Sequence, residues 1–141
     1  MKRLDHLLAV TLRPFLIIGG IGTTLPLLAA IDLSAANRVL FAGLLDYTAS
    51  SVPALRHWGV MVGGIGILMV VSAFRPWIRF DTMVFSGVEK AFMVFLFISN
   101  SDETWSRAYL GAFLLDLTIV TYTLFYFVSK LGRSHRWVEQ D

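Results

Sequence analysis

Between Val60 and Phe74 the chain reads VMVGGIGILMVVSAF, without one charged side chain. A helix on the surface of a soluble protein keeps a polar face, and this stretch has none around its circumference. Together with the residues from Pro53 onward it reaches the ~20 residues needed to cross ~30 Å of hydrocarbon. The segment is therefore read as a membrane span over 53–74. Working outward, three further apolar segments cover about 7–31, 82–99 and 108–129, the third being the shortest. The predicted fold class is all-α: an integral membrane four-helix bundle, one membrane domain over 1–141.

Composition points the same way. The chain is 56% hydrophobic and 16% charged, with a mean hydropathy of +0.68, against about 45–50% and about 25% in soluble domains. There are no cysteines, which excludes disulfides, thiolate nucleophiles, iron–sulfur clusters and cysteine-held zinc. The net charge is only +2 and the basic residues are dispersed at the ends of apolar runs. That is the pattern of topology signals, so no nucleic-acid partner is expected.

Lys2, Arg3, Arg75, Arg79, Lys130, Arg133 and Arg136 fall on one side of the predicted spans, and only Arg38, Arg56 and Arg107 on the other. The richer side is expected to be cytoplasmic, which places both termini inside. Trp77 and Trp137 at the inner interface, and Trp58, Trp105 and Tyr109 at the outer one, fit as aromatic anchors. The N-terminal run resembles a signal peptide in outline. It is too long for one, and Arg13 and Pro14 interrupt it, so the segment is expected to stay as the first span.

Between spans one and two, Val39, Leu40, Leu44 and Tyr47 recur at helical spacing opposite Asn37, Arg38 and Asp46, with Ser34 placed to cap. This predicts a short amphipathic interfacial helix over about 35–47 on the outer surface of the bundle. Gly59, Gly63, Gly64 and Gly66 in span two, and Gly19, Gly20 and Gly22 in span one, predict close helix contact, within the chain or between copies.

A charge at membrane depth has to face the bundle interior and find a partner. The candidates are Arg13, Arg56, His57, Glu89, Lys90 and Asp116. Counted from the predicted span edges, Glu89 lies about 12 Å from the inner end and Asp116 a similar depth from the outer end, at 1.5 Å per residue. Two layers are expected: Glu89 with Arg13 inside, within reach of Lys90, and Asp116 with His57 or Arg56 outside, near Ser86 and Thr118. His6, His57 and His135 fall on different sides of the membrane, so no metal ligand is assigned; no phosphate loop or nucleophile elbow appears, so no catalytic residue is assigned.

The run Arg56-His57-Trp58-Gly59, the glycines Gly63, Gly64 and Gly66, the basic turn Arg75 to Arg79, and Glu89-Lys90 together resemble the small four-helix bacterial membrane proteins of the DoxX-like and BphX-like type. Where those proteins often carry a glutamate near the start of the second span, this chain has His57. The resemblance implies a bacterial inner-membrane bundle and adds no catalytic residue. The first functional expectation is an accessory or scaffolding protein without a catalytic centre, with membrane lipids and a membrane protein or second copy as partners. No resident cofactor is expected. The alternative is a binder of a quinone or lipid at Glu89 and Asp116, and a further one a small transporter or channel.

Overall fold

The computed structural model describes the backbone of residues 2–138 and the side-chain surroundings of residues 6–103 and 106–130. The side chains of Lys2, Arg3, Trp105, Arg133, His135, Arg136 and Trp137 lie outside the described residues. Among the described residues the only regular elements are helices: α1 (Lys2–Thr24), α2 (Leu27–Ile31), α3 (Leu33–Leu40), α4 (Val52–Phe74), α5 (Arg79–Ser99) and α6 (Leu110–Val138). Short 3-10 turns over Pro76–Ile78 and Thr104–Tyr109 lead into α5 and α6. Four segments are long and apolar enough to cross a membrane: His6–Ile31, Val52–Phe74, Pro76–Ser99 and Ser106–Lys130. Large apolar side chains such as Ile18, Ile67, Phe85, Phe92, Phe95 and Leu124 are exposed along them. That outward apolar surface belongs in lipid, and the chain is a multi-pass membrane protein with a helical bundle.

Each boundary has a local cause. Pro14 sits inside α1 without ending it, whereas Leu25 and Pro26 form a turn that separates α1 from α2, so the first span bends near the end of the bundle opposite the chain termini, termed the outer end. Asp32, not Ser34, caps α3: its Oδ1 accepts the Ala35 N–H at 2.9 Å. Ser34 instead accepts from the Arg38 guanidinium at 2.9 Å.

The interfacial helix is shorter than its apolar spacing predicted. It ends at Leu40, and 41–47 form a turn in which Ala42 and Gly43 take positive φ of 52° and 76°. The Asn37 amide holds that turn, donating to Leu45 O and accepting from Leu45 N, both at 3.0 Å. A side chain expected on a solvent face thus serves as the template on which the chain folds back. Phe41 is buried at this bend, with rings 5.9 Å from Trp58 and 5.1 Å from Tyr109, so the segment closes over the outer end of the bundle.

The third span begins earlier than the hydropathy reading placed it. Arg79 is part of α5, and its guanidinium donates to the carbonyls of Ser72 at 3.1 Å and Ala73 at 3.2 Å. These are free carbonyls at the C-terminus of α4, where a cation is also favoured by the helix dipole. Arg79 therefore stitches α4 to α5 as well as marking the basic side.

The helices form two closely packed pairs, α1 and α2 on α4, and α5 on α6, with fewer contacts joining the pairs. Glycine makes both seams. A Cβ on Gly20 would lie 2.8 Å from Gly66 O, and one on Gly66 would lie 2.5 Å from both the backbone nitrogen and the hydroxyl of Thr24. Further out, Gly59 abuts Pro26 O and Gly63 abuts Leu27. In the second pair, a Cβ on Gly87 would meet Thr123 Cγ2 at 2.6 Å. Gly19 faces Met69 and Ile119, and Gly22 faces Leu115 on α6 rather than α4. Gly64 departs from the expectation for its run: nothing lies within 4 Å of a Cβ there, because at about 100° per residue it points away from the face that carries 63 and 66.

In the inner half, Leu16, Ile65, Met69, Ala73, Met83, Ile119 and Tyr126 make one buried cluster that joins both pairs. A ring stack of Phe15 on Tyr122 at 3.7 Å and a hydrogen bond between Thr11 and Tyr122 hydroxyls at 2.8 Å add to it.

Gly66→Ala should lower stability by about 1–3 kcal/mol through overpacking against backbone. Gly64→Ala should stay within about 1 kcal/mol of the parent or exceed it, since alanine favours helix. Thermal unfolding of the two variants in one detergent compares them directly, and equal losses would contradict the seam.

Candidate functional site

Of the six charged or titratable candidates, three converge and three do not. Lys90 on α5 is buried, and its Nζ lies 3.0 Å from Glu89 Oε2 and 3.2 Å from Asp116 Oδ1 on α6. The side chains of Lys90 and Asp116 are 4% and 5% exposed, that of Glu89 24%. This is one layer, not two. Glu89 stands ten residues from either end of α5 and Asp116 ten residues into the span that starts at Ser106, so all three lie about 15 Å from a span end.

The expected partners sit elsewhere. Arg13 is exposed near the inner end, its guanidinium 4.8 Å from the centre of the Phe74 ring, and does not reach Glu89. Arg56 and His57 are exposed on the first turns of α4 and do not meet Asp116. Ser86 donates to Met69 Sδ at 3.4 Å, and the exposed Thr118 donates to its own helix at Leu114 O. Adjacent residues on a helix are about 100° apart, which suggested that Glu89 and Lys90 diverge. They do diverge at Cα, and the flexible lysine stem brings its ammonium back to Glu89 while also reaching α6.

The triad borders open space. One cavity of about 220 Å³ is lined by Thr23, Trp58, Glu89, Lys90, Met93 and Asp116 among others. A second, of about 430 Å³, runs toward the outer end between Trp58, Phe97, Tyr109 and Phe113, with Asp46 and Ser51 among its other lining residues. The two share Trp58, Met93, Ala112 and Asp116, so they meet at the Asp116 side of the triad. The larger falls within the range of ~300–1,000 Å³ usual for small-molecule sites.

Two polar atoms at this junction are buried with no hydrogen-bond partner: Thr23 Oγ1 and Glu89 Oε2. Glu89 Oε2 is close enough to Lys90 for an ion pair, but its direction falls outside hydrogen-bond geometry. Thr23 is the more telling. Thr11, Thr24, Thr82, Thr118 and Thr121 all donate to the carbonyl four residues earlier at 2.7–2.8 Å. Thr23, 1% exposed, makes no such bond, and neither does Thr123, buried against Gly87 in the α5–α6 seam; of the two, Thr23 lines the cavity beside the triad. Sequence reading missed it because one threonine among many in apolar spans carries no distinguishing signal.

Among the described residues no group of three or more histidines and carboxylates is gathered to hold a metal. The residues present can bind and orient a polar head group beside an apolar body. What this geometry defines is a four-span helical membrane protein with a charged cavity at mid-depth. No family model, curated protein or solved structure matches the chain.

Lys90→Met leaves the buried Asp116 and the partly buried Glu89 without their cation and should destabilise the fold by about 3–5 kcal/mol. Adding Glu89→Gln and Asp116→Asn to Lys90→Met should recover most of that loss, because the uncompensated charge goes with them. Arg56→Ala and His57→Ala should each stay within about 0.5 kcal/mol of the parent, as exposed positions do. Unfolding in detergent reads all four variants.

Proposed function

We propose that this protein binds a small amphipathic molecule within the bilayer. The polar head meets Glu89, Lys90, Asp116 and Thr23, and the apolar body lies between α4, α5 and α6 toward the outer end. The observation that carries this reading is the cavity of about 220 Å³ at mid-depth, whose lining includes Glu89, Lys90 and Asp116 together with Thr23, a residue whose buried hydroxyl has no protein partner. A buried hydroxyl without a hydrogen bond costs about 1–3 kcal/mol, and a ligand that bonds it removes that loss. An accessory or scaffolding role, or transport, has no feature of comparable specificity behind it. Helix packing alone has no use for three charges on one cavity wall.

Thr23→Val keeps the shape and removes the hydroxyl. Native mass spectrometry of protein released from lipid nanodiscs should find a small molecule retained by the parent and weakly held by Thr23→Val, with unfolding little changed. A parent that carries nothing, together with a Thr23→Val that is simply more stable, would return the cluster to a structural role.

The DoxX-like and BphX-like resemblance, the bacterial inner membrane and cytoplasmic termini belong to the same proposal, supported by the bias of Lys and Arg toward one side. Because the chain has no cysteine, single cysteines report topology cleanly. In intact bacterial cells, Ser101→Cys should react with an impermeant maleimide, whereas Trp77→Cys should react only after permeabilisation. The opposite pattern inverts the orientation.

A further inference from the structure

The balance of donors, acceptors and charge around the cavity narrows the class of ligand. Lys90 offers three donors and no acceptor, the two carboxylates offer four acceptor oxygens, and Thr23 adds one donor and two lone pairs. Lys90 is already shared between Glu89 and Asp116, and Glu89 Oε2 still lacks a hydrogen bond. The site is therefore short of donors. Its formal charge is also one negative in excess: two carboxylates against one ammonium.

The larger cavity continues the trend. Its charged lining residues are Asp46 toward its outer end and Asp116 at the triad, and among the described residues no lysine, arginine or histidine lines it. Its other walls include the rings of Trp58, Phe97, Tyr109 and Phe113. Aromatic faces attract cations, more strongly where water is excluded. An anionic head would meet carboxylates, and a head that only accepts hydrogen bonds, such as a quinone carbonyl, would compete for the one ammonium the carboxylates already hold.

We infer that the ligand is an amphiphilic organic cation, a protonated amine whose ammonium donates to Asp116 and Glu89 while its hydrocarbon body lies among the aromatic walls. This rests on the binding reading above and adds the charge of the ligand to it. Asp46 then acts as the outer attractor and Asp116 as the anchor.

Three probes with the same ten-carbon chain separate the cases: decylammonium, decanol and decanoate, measured by equilibrium dialysis against protein in nanodiscs, with protein-free nanodiscs as the blank for partitioning. Saturable binding of decylammonium at least about tenfold tighter than decanol is expected, one charge-assisted hydrogen bond sufficing for that ratio. Asp116→Asn should bring the ammonium and the alcohol to within about twofold of each other. If Asp116→Asn does not fold, Asp46→Asn at the exposed outer position still should weaken decylammonium alone. Equal saturable binding of decanol, or tighter binding of decanoate, overturns the cation inference and leaves the binding site standing. No saturable binding of any probe overturns both.

Discussion

A lysine ammonium at the middle of a bilayer has to be held by carboxylates, and the placement of α5 against α6 follows from where those carboxylates are. Leaving an ion unpaired in hydrocarbon costs several kcal/mol, so Lys90 admits few registers between the two helices. The glycine seam fixes the same register independently. Gly87, three residues inward of Lys90, touches Thr123, seven residues inward of Asp116. At 1.5 Å per residue the two Cα positions of the ion pair are then offset by roughly 6 Å along the helices, and the extended lysine stem bridges that offset. Charge and close packing thus agree on one arrangement of α5 and α6, which makes this pair a rigid unit.

The other pair is rigid for a different reason. α1 and α2 are drawn onto α4 by Gly20, Gly59, Gly63 and Gly66, where backbone meets backbone or a leucine with no room for a methyl group. In lipid there is no hydrophobic drive between helices, so such close approach supplies the attraction. Two stiff pairs meeting along apolar side chains fill the inner half with Leu16, Met69, Met83 and Ile119. Lys90 and its partners stand at mid-depth, and there the pairs part to leave the cavities, while a second, smaller buried cluster of Ala29, Leu33 and Ala36 packs further out. The folded-back segment after α3 covers that end, its Phe41 seated against Trp58 and Tyr109. A bundle closely packed toward the chain termini, with cavities from mid-depth to the opposite end, is the direct outcome of placing glycine seams in both pairs and charge between them.

The span count and the glycine stripes were legible in sequence because both are periodic properties of composition. The ion triad was legible only as a set of residues. Depth had been counted from a span that seemed to start at Thr82, whereas Arg79 already belongs to α5 and caps α4. That shift, with the reach of a lysine stem, merges two apparent layers into one. Arg13, Arg56 and His57 looked like partners because one-dimensional depth says nothing about which way a side chain faces, and all three face outward. The turn at Ala42 and Gly43 was hidden for another reason. A long-range amide pairing, Asn37 with Leu45, overrode an apolar spacing that reads as helix. Gly64 shows the same limit on a smaller scale, since a glycine-rich run does not say which of its members touch a neighbour.

Register alone does not require three charges. Lys90 with Asp116 is a neutral pair across two helices, and apolar residues of similar volume commonly hold such an interface as well or better. Glu89 adds a second carboxylate from the same helix as Lys90, so it ties no further element to the bundle. It brings surplus negative charge and an unbonded oxygen into a cavity wall. Thr23, on α1 and from the other pair, lines the same cavity, and its buried hydroxyl is unbonded. Each lowers stability as the protein stands, and both lie where the pairs part rather than where they pack. Glu89 and Thr23 approach one space from the two helix pairs without serving the register, and under the proposed binding role a ligand there would complete their bonds.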